Sequence, residues 1–338
     1  MRIRAHRKKS LLFILLGFLL AGSIFYYLFS RITWGQVVDV WQQMDRRLVC
    51  LFVIVMIGHQ WVRTWRYRII LQAMNQQIGW IRLFLTVLVR GVCVDMLPAR
   101  TGELVYIYIL RTRLGVDLGA ATTSFALVFL FDILALAPLL LLALFMVGIG
   151  TGGEVSLGMV VTFAAVLFVV SFALIFSLPQ LLRIGFMLCR RCLPCGTRIR
   201  RFCCRLLVSM HCQVCQARRK GVYFPVFIQS LVVRFLKYAG YYVLLLSMVL
   251  PQGYQVVGWP FHKVFLGLVA AEMAASLPVS GVMGFGAYQG AWTLVFVLLG
   301  FPVTMAQVTS ISHHLFTQVY GYVLGLCALM GLMLYKPR

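Results

Sequence analysis

LPARTGELVYIYILRTRLG, residues 97–115, breaks into an apolar chain with Arg100, Glu103, Arg111 and Arg113 directly after a Leu-Pro step. The apolar run that leads into it, LFLTVLVRGVCVDML, covers residues 83–97. As a helix that run would rise about 22 Å, short of a hydrocarbon core near 30 Å. Proline ends one helix and suits the first turn of the next. The stretch therefore reads as a re-entrant helical hairpin over 83–113 that enters and leaves on the cytoplasmic side.

The rest of the chain supports a membrane setting. Of 338 residues, 62% are hydrophobic and 12% charged, whereas soluble domains are about a quarter charged. The 31 Lys and Arg against 8 Asp and Glu give a net charge of +23. Those cations lie between long apolar runs, where the positive-inside rule and anionic lipid account for them, and nucleic acid is not expected as a partner. Near the start, MRIRAHRKKS precedes an apolar run too long for a cleaved signal, so 11–30 reads as a retained first span with Arg2, Arg4, Arg7, Lys8 and Lys9 in the cytoplasm.

Next, ITWGQVVDVWQQMDRR carries Val37, Val40, Trp41 and Met44 at helical spacing and is expected to lie flat at the outer interface. A second span from Leu48 returns to a basic cytoplasmic stretch holding Arg63, Arg66, Arg68 and Arg82. A third runs over 118–150 with a kink at Pro138, and a fourth over 157–178. Residues 179–221 hold ten Arg or Lys, no acid and seven cysteines, and read as a basic Cys-rich cytoplasmic loop. A fifth span follows over 222–250.

Then the opening pattern returns. VFLGLVAAEMAASL, 264–277, stops at Leu277-Pro278, and a glycine-rich break leads to a short helix closing at Leu299-Gly300, as the first closes at Leu114-Gly115. This is a second, outer-side hairpin over 264–300, ahead of a final span at 303–333. The expectation is an all-α polytopic membrane protein, one integral membrane domain over 1–338, with about six full transmembrane helices, two re-entrant hairpins and both termini cytoplasmic. A first half, 1–150, and a second, 222–338, would form an inverted repeat of the kind found in secondary transporters. Chance recurrence of Leu-Pro in a Leu-rich chain is the alternative.

LPARTGEL followed by Leu-Gly-Val, the Asp of FLFDILAL, and the P-x(5)-G-x-G break from Pro278 to Gly286 resemble the membrane domain of lysylphosphatidylglycerol synthase/flippases and related flippase-like proteins. The resemblance covers nearly the whole chain. It implies translocation of polar-headed lipids in a bacterial cytoplasmic (inner) membrane, or assistance to enzymes acting on them. It does not imply aminoacyl transfer. The chain departs from the pattern in three places: Gln289 where a glutamate is usual, Phe129 where an Arg is common, and His314 near another usual Arg.

Four acids, Asp95, Glu103, Asp132 and Glu272, fall in segments expected at membrane depth, where a carboxylate is costly and points to function. Arg90, Arg100, Arg234 and Lys237 are the basic residues at similar depth. Together they would line a cavity for a headgroup; the alternative is a set of ion pairs holding hairpins to spans. At the first tip Thr101 offers a hydroxyl, Gly102 lets backbone approach a phosphate, and Arg100 adds a bidentate contact, with Glu103 to orient it. The second tip, with Gly284, Gly286 and Gln289, is flexible and uncharged and reads as a passage or gate.

Cys192-x2-Cys195 and Cys212-x2-Cys215 match a structural zinc spacing, against a cluster of reduced cytoplasmic cysteines as the alternative. Adjacent His313 and His314 would point about 100° apart on a helix and not share a metal. The sequence holds no P-loop, nucleophile elbow or HExxH, so neither catalysis nor a cofactor is expected. Two readings remain: a translocase of a membrane phospholipid or lipid-linked saccharide, and a non-transporting partner that presents such a lipid to a separate soluble lipid-modifying enzyme.

Overall fold

The computed structural model describes residues 34–96, 102–150, 157–192, 197–276 and 284–334. Among the described residues there are eleven α-helices and no strand: α1 Trp34–Gln43, α2 Arg46–Ala73, α3 Trp80–Met96, α4 Gly102–Arg113, α5 Leu118–Gly150, α6 Leu157–Cys192, α7 Arg198–Arg219, α8 Tyr223–Val249, α9 Phe261–Ala275, α10 Ala287–Leu298 and α11 Val303–Leu334. Five stretches are long and apolar enough to cross a membrane: Arg46–Ala73, Leu118–Val147, Ala165–Cys192, Tyr223–Gln252 and Val303–Leu334. They correspond to the second to sixth expected spans. The expected first span, 11–30, lies outside the described residues, as do both Leu-Pro steps. The protein is a polytopic α-helical membrane protein.

Both short-helix pairs are present. Helices α3 and α4 have 17 and 12 residues, and α9 and α10 have 15 and 12. None of these reaches the ~20 residues needed for a span. Each pair closes in the same way. Gly115 (φ +69°) and Gly300 (φ +89°) take left-handed backbone that a side chain would strain. Beyond them, Val116 N–H donates to Leu110 O, and Phe301 N–H to Phe296 O, each at 3.0 Å.

The chain forms two compact units from interleaved segments: residues 1–56, 90–103 and 238–327 make the first, and 57–89, 104–237 and 328–338 the second. They do not coincide with the sequence halves 1–150 and 222–338. In the first unit, Val40, Met44, Phe52, Met56, Leu244 and Met248 form a buried cluster. In the second, Tyr67, Ile70, Leu83, Tyr106, Leu127 and Phe131 belong to a larger one.

Two segments differ from the sequence expectation. The amphipathic stretch is helical as α1, but its apolar face packs on protein: Val37 meets Ile311 of α11, and Trp41 Nε1 donates to Ser312 O at 3.3 Å. An apolar stripe satisfies its pattern against a neighbouring helix as well as against lipid. The basic stretch 179–221 is mostly helical. Helix α6 continues through Pro179 to Cys192, and α7 starts at an N-cap, Thr197, whose hydroxyl accepts from Arg200 N–H at 3.3 Å. His211 Nδ1 lies 3.0 Å from Pro179 O and ties α7 to α6. The charge content of this segment carried no information on its backbone.

Candidate functional site

In the second unit, α2, α5 and α8 carry a cluster of charges inside three long apolar helices. Arg66 is fully buried, and its Nη1 and Nη2 reach the Asp132 oxygens at 2.5 and 3.3 Å. The same Nη1 donates to Ser230 Oγ at 2.7 Å, and that hydroxyl donates to Val226 O at 2.8 Å. Arg234 stands one turn after Ser230 on α8, with Nη2 3.9 Å from Asp132 Oδ2. One carboxylate thus sits between two guanidinium groups. The cluster is closed on one side and open on the other: Arg66 is 0% exposed, Asp132 20% and Arg234 17%.

Arg66 corrects the sequence reading, which placed it among cytoplasmic basic residues. Helix α2 continues to Ala73, so Arg66 lies two turns inside it. Tyr67, Ile70 and Met74, which follow it, are buried. The helical interval from buried His59 to Arg66, seven residues and so one face, was the available signal.

In the first unit, Arg90 of α3 grips Glu103 of α4 through two parallel bonds, Nε–Oε2 at 2.5 Å and Nη2–Oε1 at 2.6 Å, with 6% and 7% of the side chains exposed. Both Glu103 oxygens are thus engaged by Arg90, a partner that the sequence reading, which had Glu103 orient Arg100, did not name. Arg100 and Thr101 lie outside the described residues. Gly102 also does something other than expected. A Cβ there would overlap the backbone of Cys93 and Val94, so its bare Cα lets α4 start against α3.

Of the other acids in this unit, Glu272 accepts a hydrogen bond from Tyr238 OH at 2.9 Å, while Asp95 is exposed near the end of α3. Gly284 (φ +74°) and Gly286 (φ +87°) adopt left-handed backbone in the second break. Gly286 N–H donates to Gln289 Oε1 at 2.8 Å, and Gln289 Nε2 lies 2.9 Å from His314 Nδ1. On the far side of that ring, Gln318 Nε2 faces His314 Nε2 at 3.1 Å while Gln318 Oε1 is buried without a partner. Two amide nitrogens cannot both donate to one neutral imidazole. Turning the Gln318 amide over lets Oε1 accept from His314 Nε2–H and removes the clash of donors. The ring stacks on Tyr288, centroids 4.3 Å apart.

Two departures from the resembled pattern, Gln289 and His314, are thus in contact and form a neutral bond. His313 turns elsewhere, with Nε2 3.1 Å from Tyr241 O.

The zinc spacing does not assemble among the described residues, where no three His, Cys, Asp or Glu side chains come together as metal ligands. Cys192 and Cys212 are exposed, Cys215 lies 3.7 Å from His211, and Cys195 is outside the described residues. Cys189 and Cys204 approach to 3.6 Å between sulfurs.

Long apolar helices with ionic groups held among them define an integral membrane protein with charged side chains inside its candidate spans. The chain belongs to the family described as Lysylphosphatidylglycerol synthase TM region, which it matches over residues 14–325. It is a membrane protein of lipid metabolism or transport. No curated protein matches the chain.

Proposed function

We propose that this protein moves a polar-headed, anionic or lipid-linked substrate between leaflets of a bacterial inner membrane, with both termini cytoplasmic. The observation that carries this reading is the Arg66–Asp132–Arg234 cluster. A purely structural ion pair needs one cation for its anion, and each ion at such depth is costly. Here Arg66, itself fixed by Ser230, holds Asp132 from the closed side, while Arg234 makes the longer contact at the exposed edge. A headgroup phosphate reaching that edge gives Arg234 a bidentate partner in place of the 3.9 Å approach to Asp132. Asp132 then keeps the site from binding the anion too tightly to release it.

The test uses purified protein in liposomes with a headgroup-labelled phospholipid, scored by the rate at which outer-leaflet label appears. Transfer should exceed that of protein-free liposomes, and Arg234→Gln should lower it at least tenfold while the melting temperature changes little. No transfer by the wild type would leave the non-transporting partner as the reading. Full transfer by Arg234→Gln would remove the cluster from the mechanism.

A further inference from the structure

A second basic constellation lies outside that cluster, where α7 meets the start of α5. A cleft of about 560 Å³ is lined by Arg111, Arg198, Arg201 and Arg205, together with Asp117 and Ser209. That volume is within the roughly 300–1,000 Å³ of ordinary small-molecule sites. Three of the arginines recur at positions 198, 201 and 205, one face of α7.

The cleft is built by specific contacts. Gly119 has no side chain, and a Cβ there would overlap Ser209, so α7 comes close to the first turn of α5. Ser209 Oγ donates to Asp117 Oδ2 at 2.8 Å. The same oxygen caps α5, accepting from Gly119 N–H at 2.8 Å and Ala120 N–H at 3.2 Å. The only carboxylate in the lining is therefore engaged by a helix N-terminus and a hydroxyl, and four guanidinium groups outnumber it.

The position of the cleft selects the anion's source. It forms where the spanning stretch of α5 begins, at Leu118, and beside α7, which folds back along the last turns of α6, whose spanning stretch ends at Cys192. Those are the levels at which a span meets headgroups. Phe202 and Leu206 also line the cleft, and Phe202 and Ile199 are exposed on α7, giving acyl chains an apolar surface beside the arginines.

We propose that this cleft holds the phosphate of a resident anionic lipid, distinct from the lipid moved, which fastens α7 to the membrane surface. Guanidinium forks bind the phosphate oxygens bidentately, and Ile199 and Phe202 contact the chains.

Binding of tail-labelled phosphatidylglycerol to the full chain in neutral detergent, followed by fluorescence anisotropy, tests this. Arg201→Gln/Arg205→Gln should weaken binding at least tenfold, whereas Arg68→Gln, in a separate polar groove with Lys220, should change it less than twofold. Unlabelled phosphatidylcholine should not compete, and inorganic phosphate should compete only at a hundredfold or greater excess. Wild-type binding by the double variant overturns the proposal. Competition by phosphate at equal concentration does so too, by making this a soluble-anion site. Should the double variant lose cooperative melting, Arg205→Gln alone decides, with a threefold or greater weakening expected and wild-type binding overturning.

Discussion

The two broken helix pairs, α3 with α4 and α9 with α10, are alike in backbone and opposite in chemistry. Both stop short of a span, and both close on a left-handed glycine after leucine. The first is locked by a buried ion pair, Arg90–Glu103. The second carries a neutral relay from Gly286 through Gln289 and His314 to Gln318. Close approach is also achieved differently. Gly102 admits backbone, while Gly267 on α9 admits the Phe296 ring of α10. A shared local geometry therefore does not imply a shared electrostatic role.

The strongest way to break this comparison is Arg90→Met. It strands Glu103 in a buried setting and should cost about 3–5 kcal/mol, and adding Glu103→Leu should restore most of it. Thermal unfolding in detergent reads both. A single variant as stable as the wild type would mean that the pair does not lock α3 to α4.

The glycines sharpen the contrast. Gly102→Ala drives a methyl into backbone that cannot turn aside and should cost about 3 kcal/mol; Gly267→Ala meets a side-chain ring instead of backbone and should cost about 1 kcal/mol. Equal losses in the same unfolding measurement would erase the distinction.

Within the neutral pair, Gln289→Leu leaves Gly286 N–H and His314 Nδ1 without this partner and should cost about 1–3 kcal/mol. Gln289→Glu with His314→Arg should be more stable than the sum of the two singles by about 0.5–3 kcal/mol, because together they make an ion pair at this contact. Additive losses would separate the two positions energetically.

The smallest effect belongs to α1. Trp41→Phe removes the bond to Ser312 O, keeps the ring, and should cost about 0.5–1.5 kcal/mol. No change in stability would show that α1 is held by its buried valines alone.

Hydropathy and the Leu-Pro and Leu-Gly signals were enough to place five of the long helices and both short pairs. These are local properties: run length, a missing N–H and a glycine at positive φ act within a turn or two of their position. The same reasoning found Glu103, Asp132, Arg234, Glu272 and Gln289 as unusual polar residues in apolar surroundings. It misjudged Arg66, because a basic residue near the end of an apolar run looks like a loop charge until the helix is seen to continue past it. It also read Gly102 as room for a ligand, because a glycine beside a ligand and a glycine beside another helix have the same sequence.

What the sequence determined by itself is therefore the solvent this chain folds in, the helical class, and where helices are interrupted. Only the tertiary structure decided the partners. Asp132 meets a guanidinium 66 positions earlier, and that guanidinium meets a hydroxyl 164 positions later. Burial makes any carboxylate seek a partner among such helices. Which one it finds depends on how the helices pack, and packing is a property of the whole chain.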